Sequence, residues 1–249
     1  LTQRIYLSYN SKRIDFDTEI NWSEHHIFLK AGFPVNILST TATYEIQWGN
    51  VERPTHRNTS WDWAKFETAA QKWGDISEGN YGIAILNDSK YGYETKHNEI
   101  RLSLLKSATE PDPHADQGRH IMTYSLLPHL GDWRGEVIPA AYDLNDPIIL
   151  RSIAGGNGAN NIASLISVNR DNVTIETVKQ AEDGNGLIVR FYENHQYRGN
   201  VTLQTGFDLA EAYHCNLLEE NEAQLKVDGN TVTLPIRPYQ IATLRLIAR

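Results

Sequence analysis

The sequence predicts an all-β protein in two units, and three observations carry that expectation. Apolar and polar residues alternate with period two through most of the chain, as in Ile5-Leu7-Tyr9, Tyr44-Ile46-Trp48 and Tyr81-Ile83-Ile85. Turn-forming groups recur between these runs, among them Ala31-Gly32, Gly49-Asn50, Glu78-Gly79-Asn80 and Asp183-Gly184-Asn185-Gly186. Only two segments compete as helices.

Taken in order, Ile5-Leu7-Tyr9 and Ile14-Phe16-Thr18-Ile20 read as strands and end in a turn at Asn21. Tyr44-Ile46-Trp48, Tyr81-Ile83-Ile85 and Leu102-Leu104 continue the pattern. Between them, Trp63, Phe66, Ala70 and Trp73 fall near helical spacing within Trp61 to Trp73. Propensity alone leaves that segment open. A second helical candidate runs from Trp133 to Tyr142, where Val137, Ala140 and Ala141 share a face. Pro139 lies inside it, so a helix there must begin at the proline, be kinked or be absent.

The stretch from Ser152 to Asn161 holds three glycines and three asparagines without apolar periodicity, the composition of a flexible surface connection. It predicts a first unit over 1–154, a linker over 155–161 and a second unit over 162–249. Seven short strands follow: Leu165 to Val168, Val173 to Val178, Leu187 to Tyr192, Asn200 to Leu203, Ala212 to Leu217, Thr231 to Leu234 and Ile241 to Leu246. Their spacing suggests a small antiparallel sandwich. Asp228-Gly229 is the strongest hairpin signal.

At 249 residues, 40% hydrophobic and 22% charged, the chain has the composition of a soluble globular protein with ample core. No window approaches the roughly 20 apolar residues that span a bilayer, so no membrane partner is expected. A net charge of -8 opposes a phosphate backbone, and nucleic acid is not expected as a partner. The single Cys215 cannot form an internal disulfide, which fits a reducing, cytoplasmic compartment. Leu1-Thr2-Gln3-Arg4 lacks a signal-peptide pattern and leads straight into strand, an opening expected of a piece of a longer protein. Four sequons, at Asn58, Asn87, Asn172 and Asn200, are expected to stay unmodified.

A richer string runs from Asn87 to His129: Asn87-Asp88-Ser89-Lys90-Tyr91-Gly92-Tyr93, then Arg101 to Ser107, Pro111-Asp112-Pro113-His114-Ala115-Asp116-Gln117-Gly118, and Tyr124 to His129. Together with Phe33-Pro34-Val35 after His25-His26, Val51 to His56, Phe66-Glu67 leading to Lys72-Trp73, and Glu176 to Lys179 leading to Ala181-Glu182-Asp183, it resembles the C-terminal β region of glycoside hydrolase family 38 α-mannosidases, in the bacterial and cytosolic-like branch. The resemblance covers nearly the whole chain. It implies part of a galactose-mutarotase-like β-supersandwich followed by a small antiparallel β-sandwich, a region almost all β, so that strand plus loop is expected over Trp61 to Trp73. Strands of that supersandwich would then lie before Leu1, leaving an edge exposed and making a homo-oligomer conceivable.

The resemblance also implies a retaining, zinc-dependent enzyme that removes α-linked mannose from oligosaccharides. Its nucleophile and zinc ligands lie in an N-terminal catalytic domain that this chain does not contain, so no residue here inherits a catalytic or metal-binding role. The chain alone is expected to be inactive, with the catalytic domain and an α-mannoside oligosaccharide as its partners.

Within the chain, sugar sites join an aromatic face to fixed polar groups, which draws attention to Tyr91 with Asp88 and Lys90. Tyr93 is expected to pack in the core instead. Asp116 and Gln117 beside Gly118 suit either a rim or turn closure. Golgi-type relatives carry an arginine pair that reaches the active site near the position of His129, which makes His129 a substrate contact or, alternatively, a satisfied edge-strand histidine. His114-Ala115-Asp116, with His120 and His129 downstream, has a His-x-Asp form, for which a hydrogen-bonded loop is the expected role. The six tryptophans all precede the linker and are expected mainly in the core. Glu176, Lys179, Glu182 and Asp183 are expected to form ion pairs at the domain junction. The rival functions are a carbohydrate-binding module and a purely structural or oligomerisation region.

Overall fold

The computed structural model describes residues 1–152 and 163–249, which divide into two compact units, Leu1–Leu150 and Arg151–Arg249. The expected linker over 155–161 lies outside the described residues.

The first unit starts with strands β1 (Thr2–Leu7), β2 (Ile14–Trp22), β3 (Leu29–Pro34), β4 (Thr41–Ile46) and β5 (Gly49–Pro54). Helix α1 (Ser60–Ala64) precedes β6 (Thr68–Ala69), β7 (Trp73–Glu78), β8 (Tyr81–Asn87), β9 (Gly92–Lys96), β10 (Glu99–Leu105) and β11 (Gly118–Leu130). Helix α2 (Val137–Asn145) closes the unit. All pairings are antiparallel, in a seven-stranded sheet ordered β1-β2-β11-β8-β7-β4-β5 and a four-stranded sheet ordered β3-β10-β9-β6.

Period-two alternation decides which side of the large sheet is core. Ile20, Tyr44, Ile76, Ile83, Ile85, Met122 and Tyr124 face Tyr93, Ile100 and Leu102 of the small sheet in one buried cluster. The intervening residues point the other way, where Trp73, Ala84, Leu86 and Leu127 are covered by Trp133 and by Val137, Ile138 and Ala141 of α2. This second face also holds polar groups, the half-buried Asp15 and the buried Glu45, Asp75 and His129.

Of the two helical candidates the second forms as α2, while the first is helical only over Ser60–Ala64 and continues as loop and the strands β6 and β7. Trp61 to Trp73 was expected as strand plus loop, yet Ser60–Ala64 is a helical turn fixed by a capping box between Thr59 and Asp62. In α2, Pro139 is the third residue, inside the first turn, where a missing N–H removes no intrahelical bond. The tryptophan expectation holds for Trp73 and Trp133, stacked 5.4 Å apart, whereas Trp61 and Trp63 are 77% and 64% exposed.

The second unit comprises β12 (Ile166–Val168), β13 (Val173–Gln180), β14 (Leu187–Glu193), β15 (Gly199–Thr205), β16 (Leu209–Cys215), β17 (Asn221–Leu225), β18 (Val227–Asp228), β19 (Thr231–Ile236) and β20 (Ile241–Ala248). Sheets ordered β12-β15-β19-β18 and β13-β14-β20-β16-β17 enclose Phe191, Leu203, Leu234 and Leu244 as an antiparallel sandwich. Two strands, β17 and β18, exceed the seven expected, because both are short and lack a clear apolar alternation. Asp228 pairs with Thr231 across Gly229-Asn230, and Gly229 takes φ +61, a turn that favours glycine.

Candidate functional site

Three loops meet at the Gly118 end of β11, and they hold five of the six residues marked in the sequence. In the loop after β8, the buried Asn87 side chain donates to the Gln71 carbonyl (2.9 Å) and to the Tyr93 hydroxyl (2.7 Å). Its Oδ1 accepts the Lys90 N–H at 2.6 Å, which sets the turn that presents Asp88, Lys90 and Tyr91. Asp88 Oδ2 accepts the Thr123 N–H of β11 at 2.9 Å, fixing the turn to the large sheet. Tyr91 is 54% exposed, while Tyr93 is buried in the core as expected.

Asp116 adopts φ +62, and its Oδ2 accepts the N–H groups of Lys106 (2.8 Å) and Ser107 (3.0 Å). Those backbone bonds, with His120 and Lys90 nearby, hold its carboxyl below the usual range against partial burial. Burial holds the Lys90 ammonium below its usual range, opposed by the charges of Asp116 and Asp88. The charges of both loops thus bear on Lys90. Gln117 Nε2 donates to the Glu24 carbonyl at 2.6 Å and ties in the loop after β2. Asp116 and Gln117 thus fasten the loops, and the side chains of Asp88 and Tyr91 are exposed.

His129 is not among them. It sits six residues beyond Thr123, the residue that holds Asp88, about 20 Å further at the rise of a strand. Its strand lies between β2 and β8, but the pairing with β2 ends at Leu126, so Pro128 and His129 pair with β8 alone, as an edge residue would. The ring has no exposed surface and is bonded through Nε2 to Asp75 Oδ2 at 2.6 Å. In this unit His129 is a core residue.

The His-x-Asp string does not gather ligands. The His114 backbone is held by Asp112, the Asp116 carboxylate by two amides, and His120 Nε2 by the Asp116 carbonyl. Among the described residues no group of three or more His, Cys, Asp or Glu side chains could hold a metal ion. The zinc implied by the resemblance therefore has no fit among these residues.

In the second unit, Lys179 pairs with Glu182 and Glu219, and Asp183 with Arg245 at 2.7 Å, all within that unit. Two of the four sequons, Asn87 and Asn172, are buried and bonded, out of reach of a modifying enzyme in the folded state.

One feature was not foreseen. Between α1 and β9 lies a cleft of about 100 Å³ lined by Arg53, His56, Arg57, Lys65, Phe66 and Glu94, among others. Glu94 accepts from Lys30 Nζ (2.8 Å) and Arg57 (2.7 Å). Burial alone would raise its carboxyl, but the bonds and charges of Lys30, Arg57 and Arg101 outweigh that and keep it low. The Thr59-x-x-Asp62 spacing was the sequence signal for the turn that shapes this cleft.

The description "Glycosyl hydrolases family 38 C-terminal domain" matches residues 1–114, and "Glycosyl hydrolases family 38 C-terminal beta sandwich domain" matches residues 172–244. The chain belongs to the C-terminal region of glycosyl hydrolases family 38. This family 38 region is 42% identical over 253 residues to Alpha-mannosidase 2C1 of Mus musculus, across 99% of the chain and 24% of that protein. It is 40% identical to Alpha-mannosidase G of Dictyostelium discoideum, across 100% of the chain and 23% of that protein. The chain thus spans about a quarter of the length of the curated relatives it matches. Its fold is also that of part of an alpha-mannosidase from Enterococcus faecalis V583, with a TM-score of 0.82 at 22% identity over 97% of this chain and 28% of that one.

Proposed function

We propose that this family 38 region is the non-catalytic C-terminal part of a retaining, zinc-dependent α-mannosidase that removes α-linked mannose from oligosaccharides in the cytoplasm. The observation that carries the proposal is the 42% identity to Alpha-mannosidase 2C1 across 99% of the chain. Zinc and the nucleophile then belong to a catalytic domain outside these residues. The β region packs on that domain and helps to shape its sugar pocket through the rim of Asp88, Lys90 and Tyr91. An exposed aromatic ring beside a carboxylate and an ammonium group supports this role, since sugars offer apolar faces and hydroxyl edges together.

The test is hydrolysis of an aryl α-mannoside with zinc present. Residues 1–249 alone should give no turnover above buffer, and joined to a family 38 catalytic domain they should support it. Replacing Asp88 and Tyr91 by alanine in the joined protein should raise KM more than it lowers kcat. Zinc-dependent turnover by residues 1–249 alone would place the chemistry in the wrong part of the protein. A KM unmoved by both substitutions would remove the rim from the pocket.

Ile5, Leu7 and Tyr9, exposed at and just after the edge strand β1, favour a second role in self-association. Mass measurement in solution checks it: a dimer or larger assembly is expected, and a monomer at all concentrations rejects it.

A further inference from the structure

We propose that the cleft between α1 and β9 is a binding site for one ring of a neutral pyranoside, with Phe66 and Arg57 in its wall and Trp63 against the Arg57 guanidinium. The inference does not depend on hydrolysis, and nothing in the mannosidase proposal requires it.

Its first support is aromatic surface that does no packing. Trp61, Trp63 and Phe66 are 77%, 64% and 58% exposed, and α1 contributes no buried residue to the core. A helical turn with nothing buried is held by its ends. Thr59 Oγ1 accepts the Asp62 N–H at 3.1 Å, and the Asp62 carboxylate accepts the Thr59 N–H at 3.3 Å. The sequence thus maintains a fixed turn whose large apolar side chains face water, where a sugar face could cover them.

The second support is preorganisation. The Arg57 guanidinium lies 5.5 Å from the Trp63 ring, within the range of a cation–π contact. Glu94, whose side chain is 11% exposed, anchors that guanidinium at 2.7 Å and is itself held by Lys30 at 2.8 Å. Trp63 is exposed and yet has a fixed neighbour. Less side-chain freedom then remains to be lost when a ligand binds.

Charge and hydrogen bonding select the class of ligand. Around the cleft Arg53, Arg57 and Lys65 are balanced by Glu52, Asp62 and Glu94, so the lining does not favour an anion. Paired donors and acceptors suit hydroxyl groups, which both give and take hydrogen bonds. His56 Nδ1 is buried at this lining without a hydrogen-bond partner, and at 3.8 Å from Asp62 it is too far for a direct bond. The volume of about 100 Å³ suits part of a single ring and is well below an enclosed drug-sized pocket.

The experiment is titration of the full chain with mannopentaose and with maltopentaose, followed by tryptophan emission and by two-dimensional NMR. Saturable binding of either sugar at millimolar concentration is expected, with resonances of Arg57, Trp63 and Phe66 moving first. Phe66→Ala and Trp63→Ala should each weaken binding about tenfold, and Trp63→Phe should restore it to within about threefold. Near-ultraviolet circular dichroism checks that each variant remains folded. Absence of saturation with both sugars, or unchanged affinity in Phe66→Ala and Trp63→Ala, overturns the proposal.

Discussion

Asp75 and His129 bond across an intervening strand, Oδ2 to Nε2 at 2.6 Å, and Gly82 of that strand is what lets them meet. Gly82 is the register partner of both His129 and Ser77. A β-carbon there would stand 2.3 Å from His129 Cε1 and 2.5 Å from Ser77 Oγ. The Ser77 hydroxyl donates to the other oxygen of Asp75, so three polar side chains converge over one absent side chain. Burial, the dominant influence, raises the Asp75 carboxyl, and the bonds from His129 and Ser77 pull it back down.

Gly82→Ala should therefore destabilise the first unit by about 3 kcal/mol, combining overpacking with loss of a buried polar contact. All six tryptophans lie in that unit, so the denaturant midpoint of tryptophan emission reports on it. A midpoint equal to that of the native chain would mean that the sheet absorbs the extra carbon, and the bridge would not be the constraint described.

Acid should loosen the rim through Asp116. Its folded pKa lies below the ordinary value, so the stabilisation is present above about pH 4 and is lost as pH falls through the folded pKa. Amide exchange at Lys106 and Ser107 should accelerate on acidification beyond the intrinsic trend, and Asp116→Asn should remove that acid dependence. An identical acid profile in Asp116→Asn would show that another group governs the loop.

Glu193 holds the end of the second unit. Its buried carboxylate accepts from Asn172 Nδ2 and from the N–H groups of His195, Gln196, Tyr197 and Tyr239, at 2.8 to 3.0 Å. An amide in its place brings one acceptor oxygen and one donor group, so several N–H groups lose their partner. Glu193→Gln should cost about 3 kcal/mol, read as roughly hundredfold faster exchange at His195, Gln196, Tyr197 and Tyr239. Protection unchanged at all four would mean that the backbone alone orders these loops.

Much of the fold was legible in the chain because a strand with one buried face writes its period into the sequence. Ile83 and Ile85 against Gly82 and Ala84 read directly as two faces, and Gly229 marked its hairpin. Elements held by local bonds were harder to see. The turn Ser60–Ala64 buries nothing, so apolar spacing pointed at Trp61 to Trp73 without showing where the helix ends. β17 and β18 are defined by pairing with β16 and β19, a relation that no local pattern carries.

The candidate site was legible in parts. Asp88, Lys90, Tyr91, Asp116 and Gln117 were marked by turn chemistry, and the loops that carry them do come together. His129 was marked by its position near a family feature. The alternation of β11 buries it on the second face of the sheet, beyond the last residue paired with β2 and opposite a glycine.

By itself the sequence determined the all-β class, the alternation that sorts each strand into an inner and an outer face, and the resemblance to family 38. These are local or cumulative properties, encoded by neighbours two residues apart and by motif strings. Only the tertiary structure decided that Asp75 meets His129 over Gly82, that Asp88 fastens to Thr123, and that Phe66 and Glu94 line one cleft. Each of those relations joins separate segments, and which segments become neighbours depends on strand order and register, which side-chain periodicity leaves open.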